Sequence, residues 1–386
     1  MSCSQLILTS VLFTLLACDS KEKTELCVGH YLTEEEAVEK LNQYRDNYSN
    51  AHQWNSRAKA IKENIWKGAG LDQIQRRDWE HPITTTQSAS RQMDGYTVEN
   101  MALEVKDNHF ITGNLYRPDS IIGKIPVILS PHGHWSKLDD YGRFRDDMQL
   151  RCASLARMGA AVFAYDMYGY GEDLAHYHKD QEALKWQTYN GIRILDFVSS
   201  LDYVDTTRIG ITGASGGGTQ SFVLAAIDQR IDVSVPVVMV SAHFFGGCVC
   251  ESGLPIHKRG DFETNNVEIA AAIAPKPLML ISDGEDWTKN VPQLEFPYVK
   301  DIYQLFSAQE QVEYAHFELE GHDYGVSKRK EAYKFLAKHL NLDYGEIIDQ
   351  EGKVTEQFVT VLDTTALKVF PERSLVQDPS QPTANN

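Results

Sequence analysis

The sequence has 386 residues, of which 42% are hydrophobic and 24% charged, so the chain is long enough to bury one large core. Its formal net charge of −17 at pH 7 argues against a nucleic-acid-binding surface, because phosphates would be repelled over most of the protein. We therefore expect a globular protein without a nucleic-acid partner.

The N-terminus contains an uncharged apolar run from Leu6 to Ala17, which ends at Cys18 before a charged segment. The run is too short to span a bilayer and predicts a signal peptide over residues 1–17. The sequence up to Cys18 resembles the bacterial lipoprotein box. That resemblance implies lipid attachment at Cys18, a tether over 18–30, and a bacterial membrane as partner on the periplasmic side or at the cell surface. A buried N-terminal strand or helix is the alternative.

Helical patterns follow this leader. Thr33 and Glu36 form the pattern of a capping box before a helix with apolar positions at Val38, Leu41, Tyr44 and Tyr48. A second helix carries Trp54, Ala58, Ile61 and Ile65 on one face and ends near Gly68. Both belong to a predicted helical extension over residues 31–94.

From Tyr96 onward, strand-like and helix-like segments alternate, and several strand-like runs are continuously apolar. Such runs between helices predict an α/β fold with a mostly parallel sheet covered on both faces. We assign residues 95–342 to this domain and 343–386 to a C-terminal extension. The predicted helices are Arg145–Met158, Trp186–Leu201, Gly216–Ile227, Pro297–Phe306 and Ser327–Leu340.

The stretch Gly213-Ala214-Ser215-Gly216-Gly217 has the pattern G-x-S-x-G between a predicted strand and a predicted helix. Small residues allow a tight turn that exposes the Ser215 hydroxyl, and the helix N-terminus supplies orphan N–H donors for a developing oxyanion. The pattern alone also occurs in ordinary glycine-rich loops, so it needs partners.

A serine needs a base to remove its proton and a third group to orient that base. His322 lies between Gly321 and the last predicted helix, after a strand-like segment, and is the best placed of the 13 histidines. The stretch before it in the chain supplies three carboxylates, Asp283, Glu285 and Asp286, and spacing does not choose among them.

The second oxyanion donor is expected from the loop after the strand "IPVILSP". We assign it to the backbone amide of His134, with the Gly216 amide as its partner. His132 and His134 could instead form an H-x-H metal pair, but no third ligand is evident nearby.

The cysteines give no clear framework. Cys248-Val249-Cys250 could indicate metal or redox chemistry, yet no second pair stands at zinc-site spacing. Together with Cys27 and Cys152, these residues are expected to be buried thiols, and no metal or cofactor is predicted.

Six stretches, "PHGHW", "RCASLARMGAAVFAYDMYGYGED", "RIGITGASGGGTQ", "GGCVCE", "TNNVEIAA" and "DWTKN", resemble the acetylxylan-esterase-like bacterial α/β-hydrolases. These proteins are similar in plan to dienelactone hydrolases. The resemblance covers roughly residues 50 to 340. It implies an α/β-hydrolase fold with Ser215 as nucleophile, His322 as base and Asp286 as acid.

The expected function is that of an exported serine esterase that removes acetyl groups from a polysaccharide or oligosaccharide. Alternatives are a glucuronoyl or feruloyl esterase, a peptidase, or a non-catalytic glycan-binding lipoprotein. Aromatic residues near the proposed catalytic elements could contact a sugar ring and leave little room for a large acyl group; they are Trp135, Phe244, Trp287 and Tyr324.

Overall fold

The computed structural model describes residues 29–30, 32–134, 142–251 and 254–376. The signal peptide, Cys18, Cys27 and Trp135 lie outside these residues, so the predictions made for them stay predictions. Within the described part of the chain, no helix is both long and apolar enough to cross a bilayer.

The strands, in chain order, are β1 (Gly29–His30), β2 (Thr84–Gln87), β3 (Arg91–Gln92), β4 (Tyr96–Lys106), β5 (His109–Pro118), β6 (Ile125–Pro131), β7 (Ala161–Tyr165), β8 (Val204–Ala214), β9 (Val233–Val237), β10 (Phe244–Gly246), β11 (Lys258–Arg259), β12 (Phe262–Glu263), β13 (Leu278–Asp283) and β14 (Val312–Phe317).

The α-helices are α1 (Glu34–Arg45), α2 (Ala51–Gly68), α3 (Arg76–Trp79), α4 (Asp146–Arg157), α5 (Ala183–Ser199), α6 (Gly216–Ile227), α7 (Leu254–His257), α8 (Asn266–Ala271), α9 (Phe296–Gln304), α10 (Val326–Leu340) and α11 (Thr364–Leu367). Short 3-10 turns occur at Leu71–Gln73, Gly142–Phe144, Gln309–Gln311 and Tyr344–Ile347, and a π-turn at Val291–Glu295 precedes α9.

The main sheet has ten strands in the order β14-β13-β9-β8-β6-β7-β5-β4-β2, and β3 also pairs with β4. Neighbours from β14 to β7 are parallel, whereas β5, β4, β2 and β3 add antiparallel pairs. Every residue of β6, β7, β9 and β13 is buried. This explains their continuous apolar sequence, since both faces are covered, and the α/β fold class is confirmed.

Two apolar layers cover the sheet. One contains α2, α5, α6 and α9, and the other contains α4 and α10. Successive residues of β6 alternate between the layers: Val127 and Leu129 belong to the first and Ile128 to the second. Parallel strands sandwiched in this way bring their C-terminal ends to one edge, where loops can carry a site.

Helix α1 begins with the predicted capping box, in which Thr33 and Glu36 each accept a backbone hydrogen bond from the other. Its buried face, however, consists of Ala37, Leu41 and Tyr44, while Val38 is 41% exposed. The prediction for Val38 is wrong because an alanine one position earlier meets the core. The small Ala37 side chain lets the helix pack closely against the core, and Val38 points toward solvent.

The segments on either side of the central domain pack onto it. Residues 84–87 form β2 of the main sheet, so the predicted helical extension also supplies a strand. At the other end, the Asn100 side chain donates to the Ala366 and Lys368 carbonyls at 2.8 Å, and Leu367 is fully buried. Both segments therefore share the core of the central α/β domain.

Candidate active site

Ser215 stands at the turn between β8 and α6 with φ 57° and ψ −122°, a conformation that non-glycine residues rarely adopt. Its amide donates to the Val237 carbonyl at 3.0 Å, which ties the strained residue to the neighbouring strand. The residue is 7% exposed and lies at the N-terminus of α6. This is the sharp strand-to-helix turn that the sequence pattern predicts.

The two outer glycines of the pattern are required by close backbone approach. A Cβ atom at Gly213 or at Gly217 would lie 2.5 Å from the Pro131 carbonyl oxygen, well inside van der Waals contact. The end of β6 thus passes directly under the turn. Larger residues at either position would force the turn away from β6 and displace Ser215.

His322 and Asp286 follow the ends of adjacent parallel strands, β14 and β13. His322 Nδ1 donates a hydrogen bond to Asp286 Oδ2 at 2.6 Å. The other oxygen, Asp286 Oδ1, accepts from both the amide and the hydroxyl of Thr288 at 2.6 Å. The Asp286 side chain is only 4% exposed, whereas His322 is 27% exposed. A fixed, buried carboxylate therefore orients a solvent-facing imidazole.

The other two carboxylates have different surroundings. Asp283 is fully buried, and its Oδ2 lies 3.3 Å from Lys328 Nζ. Burial and the nearby Asp286 charge raise the pKa of Asp283 to about 6, although Lys328 acts in the opposite direction. Glu285 is exposed to solvent. The structure thus brings Asp286 to His322 and pairs Asp283 with Lys328.

The loop after β6 passes close to Ser215. A Cβ atom at Gly133 would lie 3.0 Å from the Ser215 Cβ atom, so the glycine permits this approach.

His132 is buried, and both ring nitrogens have partners: Nδ1 donates to the Gly133 carbonyl at 2.7 Å, and Nε2 accepts from the Met167 amide at 3.0 Å. Burial lowers the pKa of His132 to about 3. The H-x-H metal pair is therefore wrong, because His132 has no nitrogen left for a metal.

His134 instead meets three residues from distant parts of the chain. Its Nε2 atom lies 2.7 Å from His178 Nε2, 2.9 Å from Cys250 Sγ and 3.2 Å from Cys248 Sγ. The sulfur atoms of Cys248 and Cys250 are in direct contact, as in a disulfide. The expectation of separate buried thiols is wrong for this pair, whereas Cys152 is a buried free cysteine. The sequence offered only the C-x-C spacing as a signal.

Trp287 and Phe244 form an aromatic pair beside the histidine. Their rings stack with centroids 3.9 Å apart, and the Trp287 ring lies 4.5 Å from that of His322. They line a cavity of 410 Å³ together with His243 and the N-terminal segment Leu32, Thr33 and Glu34. Two of the four predicted substrate-contacting aromatics thus lie where a ligand could reach them.

Tyr324 is not one of these contact residues. It is 1% exposed, its hydroxyl lies 2.7 Å from Thr212 Oγ1, and the Arg151 guanidinium lies 4.4 Å from its ring centroid. The prediction that Tyr324 contacts substrate is wrong because the residue after the histidine loop turns into the core. Its hydroxyl contacts Thr212 near the C-terminal end of β8.

Glu295 is a buried carboxyl that contacts the segment leading to His243 and Phe244. Its Oε1 accepts a hydrogen bond from the Ala242 amide at 3.1 Å, next to the segment that carries His243 and Phe244. The residue is fully buried, and burial raises its pKa to about 7. The folded protein therefore holds a proton on Glu295 at pH values where an unfolded chain has lost it.

This shift predicts a pH-dependent stability. Between the unfolded carboxyl pKa of about 4.3 and about 7, the folded state binds more protons, so this contribution to stability falls as pH rises through that window. In wild type, the free energy of unfolding should fall by on the order of 2–3 kcal/mol between about pH 5 and about pH 8 because of this group. Glu295→Gln carries no titrating carboxyl at this position, so this part of the fall should be absent in the variant. Thermal unfolding at both pH values, with the exposed Glu285→Gln as control, measures it. Equal losses in wild type and Glu295→Gln would contradict the assignment.

Comparisons with known proteins agree with this architecture. Residues 188–245, which include Ser215, match the family model described as acetyl xylan esterase (AXE1). The solved structure named methylesterase BT1017 is 36% identical, covers 91% of this chain and 76% of its own, and superposes with a TM-score of 0.81.

One more distant solved structure shows the fold alone, and a further match is of sequence. A glucuronoyl esterase from Solibacter usitatus is 13% identical, with 75% of this chain and 94% of its own covered and a TM-score of 0.56. A Bacillus subtilis (strain 168) protein named "Putative hydrolase YtaP" is 26% identical over 172 residues, 40% of this chain. The matched region spans 56% of the length of that curated relative.

Proposed function

This chain belongs to the acetyl-xylan-esterase-like α/β-hydrolases, which are carboxylic ester hydrolases, and we propose that it removes acetyl groups from a carbohydrate. The observation that carries the proposal is the hydrogen-bonded Asp286–His322 pair with Trp287 against its imidazole, on the sheet edge that also holds the strained Ser215. A glycan-binding module would need no such arrangement.

In the proposed reaction, the Ser215 hydroxyl attacks the ester carbonyl carbon while His322 Nε2 takes its proton. Asp286 holds Nδ1–H and stabilises the imidazolium that forms. The Gly216 and His134 amides donate to the oxyanion of the tetrahedral intermediate. Collapse breaks the ester bond and returns the proton to the leaving alcohol. Water then hydrolyses the acyl-serine by the same steps and releases the acid.

The aromatic pair supports a sugar as the leaving alcohol. His322 must deliver its proton to the leaving oxygen, so groups beside His322 contact the leaving group. Trp287 and Phe244 stand on this side, and their flat faces suit the apolar faces of sugar rings. In an acetyl ester of a sugar, the sugar is the leaving alcohol and lies beside His322. In a methyl ester, the leaving alcohol at this position is methanol.

A methyl ester on a carbohydrate carboxyl group is the second candidate. It is favoured by the named activity of methylesterase BT1017, the relative that is 36% identical over most of this chain. In that case the sugar would form the acyl part of the ester, on the side of Ser215 away from His322, and the aromatic pair would line an outer subsite.

The two candidates differ in the product released. We expect acetate from acetylated xylo-oligosaccharides to form at least about tenfold faster than methanol from methyl-esterified uronate oligosaccharides, a difference of about 1.4 kcal/mol in the barrier. Trp287→Ala should raise KM for the acetylated oligosaccharide about tenfold and change hydrolysis of p-nitrophenyl acetate much less. Faster methanol release, with no KM effect in Trp287→Ala, would establish the second candidate instead.

Export and lipid attachment at Cys18 complete the proposal. They rest on the apolar run Leu6–Ala17 and the cysteine that follows it. A lipid-anchored esterase with a net charge of −17 would meet carbohydrate outside the cytoplasm.

A further inference from the structure

Four side chains beside the candidate active site converge on one point. The donor atoms of His134, His178, Cys248 and Cys250 all lie within 4.8 Å of one another. In a tetrahedral zinc site, bonds of about 2.0–2.3 Å place neighbouring ligand atoms about 3.3–3.8 Å apart. The distances from His134 Nε2, 2.7–3.2 Å, need to increase by only about 1 Å or less to reach that geometry.

The partners of the two imidazoles fix which nitrogens face inward. His178 Nδ1 donates to the Tyr168 carbonyl at 2.6 Å, and His134 Nδ1 lies 2.9 Å from Glu251 Oε1. Both Nε2 atoms are thereby turned toward each other and toward the sulfur atoms. Metal-binding histidines commonly have such a carbonyl or carboxylate partner on the other nitrogen, which sets the tautomer and the ring orientation.

The cysteine loop is organised by the same carboxylate. Glu251 Oε2 accepts hydrogen bonds from the Gly247 amide and, at 3.3 Å, from the Cys248 amide. The Cys250 amide in turn points to Cys248 Sγ at 3.3 Å, as N–H groups do toward bound thiolates. Glu251 is 3% exposed and therefore holds both the His134 ring and the cysteine loop from within the protein.

We propose that His134, His178, Cys248 and Cys250 bind one Zn²⁺ ion in a closed tetrahedral site. Two imidazoles and two thiolates are a ligand set that zinc prefers over harder metals. The reduced pair is the binding form: a thiol reductant opens the Cys248–Cys250 disulfide by exchange and is itself oxidised to a disulfide, and zinc binding then releases the two thiol protons. The ligands come from three separate segments, which is why the C-x-C spacing alone did not reveal the site.

The ion acts by positioning, because four protein ligands leave no open position for water or substrate. A Cβ atom at Gly216 would lie 2.7 Å from His134 Cε1, so the His134 ring rests against the residue after the nucleophile. Zinc therefore fixes the loop 132–134, which supplies the proposed oxyanion donor, to the loop that carries His178 and to the loop 247–251.

The first test is the metal content of the full-length protein purified under reducing conditions without chelator. We expect about one equivalent of zinc per chain, and loss of most of it in Cys248→Ser and in Cys250→Ser. Cys152→Ala, which removes a buried cysteine outside the cluster, is the matched control and should retain zinc. Glu251→Gln should weaken zinc affinity about 10- to 100-fold by releasing the His134 ring.

A titration separates loss of binding from loss of folding. The reduced, chelator-treated wild-type protein should bind Zn²⁺ stoichiometrically in competition with a chromogenic chelator, gain thermal stability, and recover any kcat lost on chelation. Mg²⁺ should have no effect. Reduced wild type that binds zinc no more tightly than the Cys248→Ser/Cys250→Ser double variant would overturn the proposal. These readouts need no carbohydrate substrate, so they stand apart from a failure of the proposed esterase activity.

Discussion

Ser215→Ala is expected to lower kcat/KM for p-nitrophenyl acetate by about 10⁴-fold or more, because the proposed mechanism passes through an acyl group on this hydroxyl. Alanine retains the backbone conformation at φ 57°, so the fold and thermal stability should change little. The rate of ester hydrolysis by wild type and variant measures the loss of activity, and thermal unfolding of both proteins measures any change in stability.

Ser221→Ala provides the matched control for this variant. Ser221 lies in α6, the helix that follows Ser215, and is fully buried. Its hydroxyl donates to the Gly217 carbonyl at 2.7 Å, a hydrogen bond within the helix. Its activity should stay within about tenfold of wild type. Near-native hydrolysis by Ser215→Ala would remove this serine from the mechanism.

Asp286→Asn is expected to lower kcat about 10³- to 10⁴-fold, because the amide cannot stabilise the imidazolium and favours the wrong tautomer of His322. The side-chain size is unchanged, and the Thr288 hydrogen bonds to Oδ1 can persist. Rates should be measured with substrate well above KM, so that the loss is assigned to turnover.

Asp283→Asn and Glu285→Gln are the neighbouring controls, and each should cost less than about tenfold. Asp283 lies 3.3 Å from Lys328 and makes no hydrogen bond to His322, and Lys328 keeps its 2.9 Å contact with Asp323 when Asp283 is replaced. Glu285 is exposed to solvent. A larger loss in either control than in Asp286→Asn would transfer the acid role to that residue.

The sequence predicted the central fold well because its signals there are local. The buried strands are short continuous apolar runs, and the predicted helix Gly216–Ile227 has the bounds that the structure gives α6. Other helix ends differ by up to three residues: α5 begins at Ala183, whereas Trp186 was predicted. The turn at Ser215 was predictable because a glycine pattern and a strand-to-helix change coincide there.

Features that depend on contacts between distant segments were not predictable. The choice among Asp283, Glu285 and Asp286 depends on how far each residue of the loop after β13 reaches toward His322. Tyr324 is next but one to His322 in sequence, yet it points into the core toward Thr212. The direction of a loop side chain has no periodicity from which to infer it.

The cluster of His134, His178, Cys248 and Cys250 shows the same limit. The sequence contains an H-x-H and a C-x-C pattern, but only one histidine of the first belongs to the cluster. His132 accepts a hydrogen bond from the Met167 amide, whereas His134 contacts the cysteines. His178 lies 44 residues from His134, outside any spacing rule for zinc ligands. Only the fold brings these residues together.

Trapping the acyl-enzyme tests the central claim most directly. Wild-type protein mixed with p-nitrophenyl acetate, quenched in acid within the first turnovers and digested, should give a peptide containing Ser215 that is heavier by one acetyl group. Ser215→Ala should give no such modification, while Ser221→Ala should retain it. An acetyl group found on another residue, or steady hydrolysis in Ser215→Ala without a trapped intermediate, would contradict an acyl-serine mechanism at this turn.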